Sequence, residues 1–123
     1  MRSLDSLRAQ RAHERVNSRV DLDNSDKYKT FALGFPALIH SCGLAQALAY
    51  AQAKSIQEYQ KDLAYVVNVE NLETLAEQSR EVEFSEYRRL TNDVISSASW
   101  IKRYVEAFFK KSEGEENPNA ESL

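Results

Sequence analysis

Four arginines near the start of the chain, Arg8, Arg11, Arg15 and Arg19, recur at spacings of 3, 4 and 4. At about 100° per residue they share a helical sector of roughly 80° and span ~16 Å of axis. A guanidinium holds phosphate through paired donors, so such a row matches successive phosphates of a nucleic-acid strand. The same row also fits an ordinary polar face that pairs with acids from residues 70–83. A second basic set, Arg88, Lys102, Arg103 and Lys110, falls on one side of the C-terminal segment, opposite its apolar stripe. It too can be read as a plain solvated face. The 6 Tyr and 5 Phe could stack bases, but most stand at helical core spacing and form no RRM-type signature. Contact with the backbone, rather than sequence readout, is the mode this pattern favours.

Catalytic chemistry is much harder to assemble. His13 and His40 are far apart in sequence and make no HExxH or other paired ligand spacing. With 3 Gly in the chain there is no P-loop, no GxGxxG and no GxSxG. No carboxylate pair has a spacing that demands acid–base work. Cys42 lies on an apolar stripe beside Gly43 and reads as a buried structural thiol, because a reactive one needs an electropositive, partly exposed site. His40 reads as a packed or surface residue, and His13 sits at the edge of an apolar face. The expectation is a protein without enzymatic activity, metal or cofactor.

Composition narrows the class. The chain has 123 residues, a single Cys and only 5 Gly plus Pro, which excludes an internal disulfide, a multi-Cys zinc site and turn-dense β folds. No run approaches the ~18 apolar residues of a membrane span, and the N-terminus lacks the apolar region of a signal peptide. A cytoplasmic protein is expected. The net charge of −3 hides a segmented pattern: +3 over residues 1–20, 0 over 21–54, −5 over 55–83, +3 over 84–111 and −4 over 112–123. Local positive faces therefore matter more than the bulk value.

The elements that must position these groups are helical, since Ala, Glu, Gln, Leu, Lys and Arg dominate. The first helix is expected over Ser3–Val20, with a modest apolar face of Ala9, Ala12, Val16 and Val20. Ser25 can N-cap a second helix, whose Tyr28, Phe31, Phe35, Leu38 and Cys42 form one stripe. Pro36 should kink that helix or restart it after Gly34. Residues 44–54 alternate Ala every second position, but Ala and Gln favour helix over strand. Ser55 to Glu58 fits a capping box, with Tyr59, Leu63, Val66 and Val67 facing inward. A short helix follows near Asn71–Gln78. The last, from Ser85 to about Lys110, keeps a 3/4 apolar rhythm from Tyr87 to Phe108. Trp100 on it is expected to be the core keystone; the alternative is an interface residue, because Trp is enriched at interfaces. The expectation is an all-α compact bundle of about five to six helices, with no sheet and a long C-terminal helix. It comprises a single helical domain over residues 1–111 and a disordered acidic tail over 112–123.

Two stretches carry a family resemblance. Pro36-Ala37-Leu38-Ile39, Gly43-Leu44, Ala47-Leu48-Ala49-Tyr50 and Lys54 follow one another as in the small α-helical subunit of type III-B CRISPR effector complexes, the Cmr small subunit. Tyr87, Arg88, Thr91, Trp100, Ile101, Lys102, Arg103, Tyr104 and Ala107 resemble that family's C-terminal helix. The similarity runs over about residues 2–111. It departs at Cys42, where the family often has Asn, and over 68–83.

The resemblance implies a structural subunit of an antiviral ribonucleoprotein. Copies would stack head to tail beside the backbone subunits and the large polymerase-like subunit, lining the channel where guide and target RNA pair. RNA-binding residues would be Arg8, Arg11, Arg15, Arg19, Lys54, Arg88, Lys102 and Arg103. Stacking needs two different patches per copy, and the acidic 55–83 face, with Glu73 and Glu77, could meet a basic face of the next copy. The alternative is a helical protein–protein adaptor, unrelated to RNA, that docks an acidic partner on its Arg face.

Overall fold

The computed structural model describes residues 3–109. It contains six helices: α1 (Leu4–Asn17), α2 (Ser25–Cys42), α3 (Leu44–Lys54), α4 (Gln57–Val67), α5 (Leu72–Glu81) and α6 (Phe84–Phe108). There is no strand among the described residues. The expected acidic tail and the end of the domain near residue 111 lie outside them.

The 25-residue α6 is the spine of the bundle. It packs against α1, α2 and α4, while α3 is held between α2 and α5. Its rhythm is the one seen in the sequence: Val94, Ala98, Ile101 and Val105 are all fully buried. The largest buried side chains come from other helices and include Tyr28, Phe35, Ile39, Leu48, Tyr59, Leu63 and Leu75. Ala32, Ala47, Ala51 and Ala98 are buried with them. Their small side chains let the backbones of α2, α3 and α6 approach closely. Trp100 is not the core keystone. It is half-buried, stacks on Tyr104 at 5.9 Å and donates its indole N–H to Asp5 Oδ1 at 2.9 Å.

Helix ends account for the remaining differences from the sequence reading. Asn24, not Ser25, is the N-cap of α2, and it makes no side-chain cap bond. The helix runs unbroken through a buried Pro36 instead of restarting there. The missing Pro N–H costs one intrahelical bond at the Ala32 carbonyl, which the packing of the stripe offsets. The capping box at Ser55 does not form. Ser55 closes α3 instead, donating its hydroxyl to Ala51 O at 2.6 Å. Gln60 adds its amide to Ala51 O at 3.2 Å and to Ser55 O at 3.1 Å, so the side chains of Ser55 and Gln60 join the Ser55 N–H on the Ala51 carbonyl. At α5 the expected start holds, with Asn71 Oδ1 accepting from Thr74 N at 2.7 Å.

Gly43 joins α2 to α3 in one residue. Its N–H donates to Ile39 O at 2.9 Å and its carbonyl accepts from Ala47 N at 3.0 Å. It does so at φ 88°, ψ 161°, a region essentially confined to glycine. The Tyr87 hydroxyl of α6 then accepts from Ala45 N at 3.1 Å, capping α3 from across the bundle. This ties together two of the motifs by which the sequence resembles its family.

Gly34 and Gly43 should respond to substitution in opposite directions. Gly43→Ala should cost about 1–3 kcal/mol, because the left-handed backbone is strained for any L side chain. Gly34 is helical and exposed, and a Cβ there would meet nothing within 4 Å. Gly34→Ala should therefore stabilise by about 0.5–1 kcal/mol. Urea unfolding of both variants checks the pair; equal shifts in one direction would contradict this account of the junction.

Candidate nucleic-acid interface

α1 ends at Asn17, short of the expected Val20, so Arg8, Arg11 and Arg15 lie on the helix and Arg19 in the turn after it, and all four find partners within the chain. On a helical wheel the Arg sector is adjacent to the Ala9–Ala12–Val16–Val20 sector, not opposite it. When the apolar side docks, the guanidinium flank is carried against α4 and α6. Arg8 is 9% exposed and pairs with Asp93 of α6 at 2.8 Å. Arg11 donates to Tyr65 O at 3.3 Å and lies 5.3 Å from the Tyr65 ring centroid. Arg15 sits over the same ring at 4.1 Å and reaches Asp62 at 3.5 Å. Arg19 grips Asp62 with two donors, at 2.9 and 2.8 Å. The partners are not the acids of residues 70–83. In this structure the four side chains are thus engaged within the chain, holding α1 and the turn that follows it against α4 and α6.

Asp62, which no motif in the sequence marks, organises this seam. Its position among Tyr59, Leu63 and Val66 on the inward stripe of α4 was the available signal, since an acid on a buried stripe needs a cationic partner. Asp62 is fully buried and accepts a third contact, the Tyr28 hydroxyl of α2 at 2.6 Å. The hydrogen bond from Arg19 to Asp62 raises the Arg19 pKa. Burial, and then the Asp62 charge, push the Tyr28 hydroxyl well above its ordinary value. Burial next to the same carboxylate does likewise to Tyr59, whose hydroxyl has no hydrogen-bond partner among the described residues.

The cations that remain outward lie elsewhere. Arg88 and Arg103 are exposed on α6, Lys102 is half-buried beside them, and Lys54 is exposed at the end of α3. None of the four makes an ion pair among the described residues. Arg88 and Arg103 are separated by ~22 Å of helix axis at 1.5 Å per residue. Near Arg103 the α6 surface also shows an aromatic ladder. Trp100 stacks on Tyr104 and Tyr104 on Phe108 at 5.6 Å, and the exposed His13 ring meets Tyr104 and Phe108 edge-on at 5.3 Å. His40 is exposed near the end of α2, and Cys42 is half-buried. No group of three or more His, Cys, Asp and Glu side chains fit to hold a metal occurs among the described residues. No helix there is long and apolar enough to cross a membrane.

Fold and surface together define a small all-helical protein with exposed cations and an aromatic ladder on α6 and exposed acids on α5. The chain belongs to the Cas_Cmr5 family of CRISPR-associated proteins, which it matches over residues 4–108. It is 34% identical over 114 residues to the CRISPR system Cmr subunit Cmr5 of Thermus thermophilus, a match spanning 90% of this chain and 100% of that protein. The crystal structure of a CRISPR-associated Cmr5 family protein from Thermus thermophilus superposes with a TM-score of 0.86 at 34% identity, covering 89% of this chain and 100% of that one. The resemblance seen in the sequence to the type III-B Cmr small subunit is borne out, and with it the all-α fold with a long C-terminal helix.

Asp62→Ala should cost about 3–5 kcal/mol, because Arg19 and Tyr28 lose a buried partner together. Tyr59→Phe should be neutral or stabilising by up to ~1 kcal/mol, since it removes a buried hydroxyl that has nothing to bond. Both are read by denaturant midpoint. Alkaline pH probes the same seam. Tyr28 and Tyr59 stay protonated in the folded chain above the pH near 10 at which they ionise when unfolded. Their contribution is complete below that pH and is lost above it, at about 1.4 kcal/mol per pH unit for each. Tyr59→Phe should make the alkaline loss shallower; an unchanged slope would contradict burial of that hydroxyl.

Proposed function

We propose that this chain is a non-enzymatic structural small subunit of an RNA-guided type III-B CRISPR ribonucleoprotein, acting in antiviral defence in the cytoplasm. Copies stack along the complex, touch its backbone and large subunits, and line the path of the guide and target RNA. The observation that carries this is the set of unpaired outward cations on the chain of a Cmr5 family member: Arg88, Lys102 and Arg103 on α6 and Lys54 on α3. They offer charge to a phosphate backbone without a geometry for reading bases. The α1 arginines support this surface indirectly, by holding α1 against α4 and α6. Their internal engagement also counts against the adaptor reading, whose docking element was that same face.

Stacking fits the charge layout. Glu73 and Glu77 are exposed on α5, and the α6 cations lie on a different helix. One acidic and one basic patch per copy make a head-to-tail contact that need not close. Reversing the sign of both glutamates should weaken assembly of the complex in size-exclusion chromatography.

The experiment is a salt titration of single-stranded RNA binding by the full chain. Affinity should fall with salt at a slope of about −0.7 per neutralised phosphate. Arg88→Ala plus Arg103→Ala should weaken binding alike for all sequences and make the slope shallower by up to about 1.4. A salt-independent affinity, or a loss confined to certain sequences, would overturn the proposal.

A further inference from the structure

An open groove of about 630 Å³ lies between α2 and the end of α3, away from the α6 cations, and the α1–α4 seam does not reach it. Its interior is aromatic. Phe35 stacks on Phe31 at 5.2 Å, and Phe31 stacks on Tyr50 at 6.1 Å with planes 11° apart. The stack begins in the core, where Phe35 is 1% exposed, and ends at the surface, where Tyr50 is 48% exposed. An outward tyrosine at the end of an aromatic stack leaves room for one more ring. Gly34 lines the groove and presents no side chain to it. Two lysines also line it, Lys27 from α2 and Lys54 from α3, against one acid, Asp26. Neither lysine is ion-paired among the described residues.

We infer that this groove takes an unpaired base of single-stranded RNA. The base continues the Phe35–Phe31–Tyr50 stack, and Lys27 and Lys54 neutralise the phosphates on either side of it. Aromatic stacking accepts every base, so the site is sequence-tolerant, in keeping with the cationic surface on α6. The charge argues for RNA over an apolar peptide. A groove meant only for a hydrophobic helix has no use for two unpaired lysines among its lining, whereas a polyanion needs them. This inference rests on the RNA-lining role proposed above and adds a base-binding site to it.

The test compares the full chain's affinity for a short single-stranded RNA with its affinity for the abasic ribose–phosphate oligomer of equal length. The wild type should prefer the base-bearing strand by about tenfold. Tyr50→Ala should erase that preference and leave the salt slope unchanged, because a stacked base releases no counterions. Lys27→Ala plus Lys54→Ala should do the reverse, making the slope shallower while the preference survives. Gly34→Leu, which places a side chain in the groove from a position where a Cβ meets nothing within 4 Å, should also erase the preference with no loss of melting temperature. Equal affinity for both oligomers with the salt dependence intact would overturn the groove site alone. Binding of neither oligomer at low salt would overturn the RNA role as well. Loss of Cmr subunit association in Gly34→Leu, with the base preference retained, would assign the groove to a protein and overturn the inference.

Discussion

A single buried carboxylate sets the arrangement of three helices. Asp62 of α4 is fully buried and is met by Arg19 and Arg15 from the α1 end of the chain and by the Tyr28 hydroxyl from α2. A carboxylate without partners costs several kcal/mol to withdraw from water, so it tolerates only a packing that brings those donors to it. Apolar stripes alone would leave α1 free to rotate or slide, because Ala12 and Val16 are small and make a shallow contact. The two-pronged grip of Arg19, in the turn after α1, ties the end of that helix to α4. Nearer the start of α1, Arg8 pairs with the partly exposed Asp93 of α6. Hydrophobic burial supplies the driving force for the bundle, and these pairs select which bundle forms.

That constraint decides which charges are available for function. The arginines of the seam are engaged within the chain, while Arg88 and Arg103 of α6 and Lys54 at the end of α3 remain exposed without an ion pair among the described residues. Arg11 and Arg15 make the point locally. Both remain half-exposed, yet the Tyr65 ring lies beneath them and the Tyr65 hydroxyl reaches Glu14 at 2.9 Å. A row of cations at helical spacing is thus compatible with two opposite roles. The neighbouring sector of the wheel discriminates between them: cations opposite the apolar stripe stay in water, and cations beside it are drawn to whatever acid the next helix presents.

Helix junctions follow the same logic of competing partners. Ser55 and Glu58 have the spacing of a box that opens α4, but the Ser55 hydroxyl goes instead to the Ala51 carbonyl at the end of α3. Gly43 serves two helices with one residue because only glycine reaches its backbone angles without strain. The hydroxyl that caps α3 at Ala45 arrives from Tyr87, 42 residues further along the chain. Local patterns identify which groups seek partners; the choice among partners is made in three dimensions.

The helical order, the buried stripe of α6, the start of α5 at Asn71 and the family were legible in the residues, whereas on α2 the buried face is Tyr28, Ala32, Phe35 and Ile39, and Phe31, Leu38 and Cys42 of the expected stripe are half-buried. Periodicity and propensity are local properties, and they survive whatever the helices do next. The cations of α6 were legible as outward for the same reason, because their stripe lies opposite the core side. Packing alone fixed the fate of the α1 arginines, the importance of Asp62, the surface position of Trp100 and the groove between α2 and α3. Each of those depends on which helix faces which, across separations of up to 95 residues in the case of Trp100 and Asp5. Spacing within one helix says nothing about the side chain that waits on the next.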